Sequence, residues 1–245
     1  MNQGYEDVAV IIPARIGSTR LSNKPLQLIG KQTMIEHVLT RVQKTGIQNL
    51  YIATDSEEIS SVVTKKGFTA IMTSPDCKTG TDRVYEAFKK LPNYDKINYI
   101  INVQGDMPFI NGSVISEIVT GLRNNHFDII TPVVKVDEEI ASSLSNVKVV
   151  ITKSNKALYF SRSLVPNGSK DFFYHVGIYG FKAKALEKFV SLEQTLNEKS
   201  ENLEQLRALD NDMTIGVCYS NEIPISVDTE EDLTKAREFF AKNNL

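Results

Sequence analysis

Apolar and polar positions alternate in blocks along the first half of the chain. Val8–Ile12 is an unbroken apolar run, the pattern of a strand buried on both faces. Met34, Ile35, Val38, Leu39 and Val42 recur at helical spacing behind Thr33 and Glu36, which form a capping-box pair, and Gly46 marks the helix end. Leu50–Ala53 predicts a second strand. Asp55 with Glu58 predicts the cap of a helix that turns Ile59, Val62 and Val63 inward and stops at Gly67. Phe68–Met72, Tyr99–Val103 and Ile129–Val134 predict further strands, with helices over Thr81–Leu91 and Val114–Leu122. Such alternation predicts an α/β fold with a mostly parallel sheet and helices on both faces.

The pattern changes near Asp137. Val147–Thr152 and Ala157–Ser161 flank Lys153-Ser154-Asn155-Lys156 and predict a hairpin. His175–Phe181 predicts a strand, Glu201–Leu209 a short helix, and Ile215–Tyr219 and Ile225–Val227 two more strands. Thr229–Ala241 predicts a closing helix with Leu233, Ala236, Phe239 and Phe240 on its apolar face. No repeat or flexible linker interrupts the pattern, so residues 1–245 are expected to form a single domain. Within it, an antiparallel subregion at about 138–190 is expected to pack on the same sheet. Its apolar hairpin is an expected homodimer surface.

Charge and composition narrow the possible functions. A net charge of -2 gives no general affinity for nucleic acid or acidic membranes. No apolar run approaches the ~20 residues that span a bilayer, and the polar first residues do not resemble a signal peptide. Cys77 and Cys218 lie far apart, which argues against a zinc site or a disulfide framework. The expectation is a soluble, cytoplasmic protein.

Candidate chemistry follows the first strand. Arg15, Arg20 and Lys24 fall within a ten-residue stretch just after Pro13, where open α/β sheets bind ligands. Arg15 and Lys24 are either solvated surface charges or ligands of a polyanion. The small residues Gly17, Ser18 and Thr19 between them favour the second reading, because their backbone N–H groups can wrap phosphate oxygens. Neither Gly-x-Gly-x-x-Gly nor Gly-x-x-x-x-Gly-Lys-Ser/Thr is present. Asp106 follows the strand ending at Val103 and either caps the next helix or, on a tight turn before Pro108, binds magnesium. Asp228 either caps the last helix, where Thr229 and Asp232 form a capping pair, or converges on the same metal. Thr79, Gly80 and Thr81 open a helix whose N-terminus favours anions. Arg83 in its first turn is disfavoured by the dipole, so it either has a partner or points away.

The segments PARIGSTRLSNKPL, TGTDR, NVQGDMPFI, ALYFSRSLVP, HVGIYGF, LEQLRAL and VDTEEDL stand in the order found in CMP-Kdo synthetases. These cytidylyltransferases activate 3-deoxy-manno-octulosonate (Kdo) for lipopolysaccharide, and the chain resembles them from about Val8 to Phe240. The resemblance implies a Rossmann-like, GT-A-like nucleotidyltransferase fold of three layers with an antiparallel hairpin insertion. It implies that CTP and Kdo react to CMP-Kdo and pyrophosphate. Arg15 and Lys24 would then hold the triphosphate, and Asp106 and Asp228 would bind Mg2+. Pro13, Ala14, Thr79, Arg83 and Gln104 would surround the nucleotide. Gln104, Arg162, His175, Tyr179, Glu204 and Gln205 would meet the acid sugar. Three positions depart from the family: Ser22-Asn23 replaces a usual Pro-Gly, Met107 replaces a common Glu, and the loop from Pro166 to Phe172 is short. A less rigid first loop is therefore expected. The residues leave open an 8-amino-Kdo or sialate cytidylyltransferase, an enzyme using UTP, and a non-catalytic nucleotide-sugar binding protein.

Overall fold

The computed structural model describes residues 4–17, 20–124 and 126–243. Along the chain lie β1 (Val8–Ala14), β2 (Leu28–Ile29), β3 (Gln32–Thr33), α1 (Met34–Gln43), β4 (Asn49–Thr54), α2 (Glu57–Lys65), β5 (Thr69–Met72), α3 (Gly80–Lys89) and β6 (Tyr99–Asn102). There follow α4 (Gly112–Asn124), β7 (Ile129–Val136), α5 (Glu138–Ala141), β8 (Lys148–Ile151), β9 (Ala157–Ser161), β10 (Phe172–His175) and β11 (Tyr179–Lys182). The last elements are α6 (Ala183–Ser191), α7 (Leu196–Glu201), α8 (Gln205–Asp210), β12 (Ile215–Tyr219) and α9 (Glu230–Lys242). They form two compact units: the chain up to Ser113 together with that from Pro224 onward, and Val114–Ile223.

In the first unit the strands run in the order β5-β4-β1-β6, all parallel. Val8–Ile12 at its centre are fully buried, as an apolar run flanked on both sides requires. β1 extends two residues beyond that run, with Pro13 opposite Ala53 and Ala14 opposite Thr54. Pairing with β6 stops at Ile11, so no β6 carbonyl awaits the amide that Pro13 lacks. The carboxyl ends of β1, β4 and β6 thereby share one sheet edge.

Local chemistry revises two of the expected caps and one strand. The cap of α2 is Ser56, whose hydroxyl accepts from Ile59 N (3.3 Å). Asp55, one residue too early for that role, pairs instead with Arg83 (2.8 Å). The cap of α9 is Thr229, bonded reciprocally with Asp232, and not Asp228. Residues 225–227 form no strand. Val227 N donates to Asp106 O (2.9 Å), and the Val227 side chain is buried with Leu21, Ile29, Met34, Phe109, Leu233 and Ala236.

The first loop keeps its turn without the usual glycine. Asn23 sits in the left-handed region (φ 50°, ψ 35°), which asparagine tolerates better than other L residues except glycine. Its carbonyl accepts from Leu26 N (2.8 Å), and Gln27 Nε2 donates to Ser22 O (2.8 Å). Ser18 and Thr19, expected to wrap phosphate, lie outside the described residues.

The second unit is largely antiparallel. β12 is parallel to β7, whereas β10 and β11 are antiparallel to it; β8 pairs with β10, and β9 with β8. The β8–β9 hairpin turns through Asn155 at φ 61°. The expected subregion 138–190 falls inside this unit, which extends further because its strands are organised on β7 and β12. The single strand read over His175–Phe181 is two strands, because a tight turn with Ile178 N on Val176 O (2.7 Å) divides it. The single helix read over Glu201–Leu209 is likewise divided, because Asn202 (φ 54°) ends α7 before α8 starts. Lys148 is fully buried, and its ammonium donates to Ser143 O (3.1 Å), Asn146 O (2.6 Å) and Arg162 O (2.5 Å). Those three bonds tie the 143–146 loop to the end of β9 and offset the burial of the charge.

The turn at Asn23 is testable by denaturant unfolding. Asn23→Gly retains wild-type stability, whereas Asn23→Val loses about 1–2 kcal/mol, because a β-branched residue cannot hold the left-handed conformation cheaply. Equal stability of the valine variant would mean that the loop does not depend on this turn.

Candidate active site

At the carboxyl edge of the parallel sheet lies an open cleft of about 320 Å³. The end of β1 supplies Pro13, Ala14 and Arg15, and the first loop adds Gly17, Arg20, Lys24 and Pro25. The approach to α3 adds Cys77, Lys78, Thr79, Gly80 and Arg83. The turn after β6 adds Gln104, Gly105 and Asp106, and the residue before the α9 cap adds Asp228. A Cβ on Gly105 would stand 3.0 Å from Pro13 O, so a small residue lets this turn approach the end of β1.

Lys24 is the centre of the cleft. Its Nζ donates to Asp106 Oδ2 (2.9 Å) and to Asp228 Oδ1 (2.9 Å), carboxylates 82 and 204 residues away. Burial alone would lower the ammonium's pKa, but attraction to Asp106 and hydrogen bonds to both carboxylates raise it above its ordinary value. Asp106 is free for this role because Asn111 caps α4, its Oδ1 accepting from Ser113 N (3.1 Å). Asp228 is free because Thr229 caps α9, and Arg20 reaches it from the solvent side (3.2 Å). Asp106 Oδ1 is buried and has no hydrogen-bond partner.

The remaining predicted nucleotide residues line the same cleft in different states. Arg15 is exposed and makes no ion pair among the described residues. Arg83 is buried and already paired: one guanidinium nitrogen meets Asp55 Oδ2 (2.8 Å) and another donates to Thr73 Oγ1 (2.6 Å). This explains a cation in the first turn of α3. Thr79 is the α3 cap, with its hydroxyl accepting from Asp82 N (3.1 Å), and Gln104 Nε2 donates to Asn102 Oδ1 (3.2 Å). Lys78 and Cys77 were not singled out in the sequence; an exposed lysine and an isolated cysteine carry no pattern. Burial, then the Glu86 carboxylate, pushes the Cys77 thiol up to about 11, so it is not a nucleophile at neutral pH.

Apart from Gln104, which lines the cleft, the predicted sugar-side residues lie in the second unit. His175, Tyr179 and Gln205 are buried together: the His175 and Tyr179 rings are 5.4 Å apart, and Tyr179 Oη donates to Gln205 Oε1 (3.1 Å). Gln205 Nε2 is buried without a partner. His175 Nε2 lies 2.8 Å from Thr131 Oγ1, and that hydroxyl also reaches the carbonyls of Val176 (3.1 Å) and Ile178 (2.8 Å). Burial lowers the His175 pKa to about 3, so the ring is neutral at pH 7. Glu204 precedes α8, and burial followed by its charge raises the Tyr179 pKa. Arg162 donates from Nε to Glu201 O (3.0 Å) and from a terminal nitrogen to Leu144 O (3.4 Å).

The donor set selects among metals. No cluster of three or more His, Cys, Asp or Glu is present among the described residues, so zinc has no set of ligands. Two carboxylates on one cation, with a buried unpartnered Oδ1, fit magnesium, which takes one or two carboxylates and completes its shell with phosphates and water. No helix among the described residues is long and apolar enough to cross a membrane.

Known proteins share this architecture. A cytidylyltransferase family model matches residues 9–215. A 3-deoxy-manno-octulosonate cytidylyltransferase of Rickettsia africae is 59% identical over 236 residues, 96% of this chain and 96% of that protein. One from Rickettsia bellii is 56% identical over 241 residues, 98% of this chain and 99% of that protein. The solved structure of CMP:2-keto-3-deoxy-manno-octonic acid synthetase complexed with CTP matches with a TM-score of 0.92 at 33% identity, covering 96% of this chain and 99% of that one. A cytidylyltransferase from Leptospira borgpetersenii, at 18% identity and a TM-score of 0.63, covers 97% of this chain and 95% of that one and shares the fold. The chain belongs to the cytidylyltransferase family, among relatives named as 3-deoxy-manno-octulosonate cytidylyltransferases.

Proposed function

We propose that this chain transfers CMP from CTP to 3-deoxy-manno-octulosonate, releasing pyrophosphate, in the activation of that sugar for lipopolysaccharide. The observation that carries the chemistry is the convergence of Asp106 and Asp228 on Lys24 beside Arg15, in the cleft at the sheet edge. The names of relatives at 59% and 56% identity support the sugar.

The reaction is a displacement at phosphorus. The anomeric hydroxyl oxygen of the sugar bonds to the α-phosphorus, the bond to the β-phosphate oxygen breaks, pyrophosphate departs and the hydroxyl proton passes to water. Such chemistry depends on alignment and charge neutralisation, and it needs no enzyme nucleophile. Arg15 and Lys24 hold the triphosphate, Arg15 as a bidentate donor and Lys24 as a point charge. Asp106 and Asp228 would hold magnesium, which supplies charge neutralisation and makes a sugar hydroxyl more acidic. Arg83, fixed by Asp55 and Thr73, gives the nucleotide a rigid wall.

The acid sugar brings its own carboxylate. Arg162 is suited to it, since its guanidinium bonds to the carbonyls of Glu201 and Leu144 and makes no carboxylate pair among the described residues. His175, neutral at pH 7, orders Tyr179 and Thr131 but adds no charge.

Pyrophosphate release, measured with each nucleoside triphosphate and a panel of acid sugars, tests the proposal. Release is expected with CTP, magnesium and 3-deoxy-manno-octulosonate, and little with UTP or with sialate. A clear preference for another pair would replace the substrate assignment, and CTP binding without any release would remove the catalytic one. Asp106→Asn is expected to lower turnover by on the order of 10²–10³-fold with an unchanged melting profile. The His175 pKa of about 3 lies below its ordinary value of 6.5, so the unfolded chain binds the extra proton. The stability linked to His175 is therefore complete above pH 6.5 and lost as pH falls toward 3. His175→Gln is expected to show a shallower fall in unfolding midpoint between pH 7 and pH 4; an unaltered slope would mean that the ring is charged in the folded protein.

A further inference from the structure

The Lys24 ammonium stands where an ion gripped by both carboxylates would have to bind. Nζ lies 2.9 Å from Asp106 Oδ2 and 2.9 Å from Asp228 Oδ1. Its side chain is only 17% exposed, so water competes little for these contacts. Arg20 is no substitute: it meets Asp228 alone, at 3.2 Å, from a side chain that is 67% exposed. The Lys24 backbone is fixed between the left-handed Asn23 and buried Pro25, which leaves the side chain as the part that moves.

Two cations cannot share these oxygens at full strength. A divalent ion that leaves the ammonium in place is repelled by it, and one that displaces it strands a half-buried positive charge. The strain is removed when another polyanion takes the ammonium over. A triphosphate in the same cleft is such an anion, and lysine binds phosphate as a point charge. The buried Asp106 Oδ1, which has no partner while Oδ2 is held by Lys24, is a ready second contact for the arriving ion.

We infer that Lys24 is the resident counter-ion of the metal site: it holds Asp106 and Asp228 in the nucleotide-free protein and yields them to a divalent ion when a triphosphate takes its ammonium. The inference rests on the metal-site reading given above. It makes Lys24 the coupling element between two ligands, so each tightens the other by the same factor. It also explains how the fold keeps two acidic side chains converged before any ligand arrives.

Manganese binding to the nucleotide-free full chain, followed by the electron paramagnetic resonance signal of the free ion, tests this. Lys24→Met and Lys24→Gln are expected to bind manganese at least about tenfold more tightly than the wild type, and adding Asp106→Asn is expected to erase the gain. Thermal melting of the same samples is expected to show a larger manganese-induced rise for the Lys24 variants. A Lys24→Met chain that melts cooperatively only with manganese present also counts in favour, since its carboxylates then depend on the ion. Manganese binding no tighter in either folded variant, while the wild type binds manganese together with CTP, overturns the counter-ion role and leaves the metal site standing. No manganese bound by any of the proteins, with or without CTP, overturns the metal site and the inference with it.

Discussion

One ammonium between two carboxylates organises the cleft. Lys24 comes from the loop after β1, Asp106 from the turn after β6, and Asp228 from the residue before the α9 cap. Like charges at this spacing repel unless a cation is guaranteed between them, and half-burial raises that requirement. The surrounding structure supplies the guarantee. The pairing of β1 with β6 sets the level of the two loops, Val227 N on Asp106 O holds the approach to α9 against the β6 turn, and Asn23 sets the position of Lys24.

The same logic of pairing charges appears elsewhere in each unit with a different purpose. Arg83 in the first unit and Lys148 and Arg207 in the second are buried cations, and each has acceptors in place: Asp55 and Thr73 for Arg83, three carbonyls for Lys148, and both Glu198 oxygens for Arg207. These sites are fully occupied and act as fasteners. The cleft differs because one buried carboxylate oxygen, Asp106 Oδ1, is left over. Exposed Arg15 likewise keeps its charge for an incoming anion.

Much of the parallel half was legible from the sequence because its signals are local. The apolar run of β1, the helical spacing behind Thr33 and the carboxylate on the turn after β6 each follow from a few adjacent residues, and the structure brings Arg15, Lys24, Asp106 and Asp228 into one cleft. The capping role considered for Asp228 failed because Thr229, one residue later, has the geometry to do it. Asp55 was misread for the same reason, with Ser56 beside it, and its true partner Arg83 is 28 residues away, beyond any local pattern. The antiparallel half was less legible. The breaks at 176–178 and at Asn202 depend on backbone turns, α6 starts after Lys182 with no side-chain cap, and α5, capped by Asp137, is only one turn long. The burial of His175, Tyr179 and Gln205 as one cluster is a tertiary fact, set by strands pairing on β7.

The most direct measurement is a crystal structure of this chain with CTP and manganese, with the ion located by its anomalous scattering. The account predicts a peak shared by the Asp106 and Asp228 carboxylates, and the Lys24 ammonium moved onto phosphate oxygens. A manganese ion bound only to the triphosphate, with Lys24 still clasped by both aspartates, would contradict it.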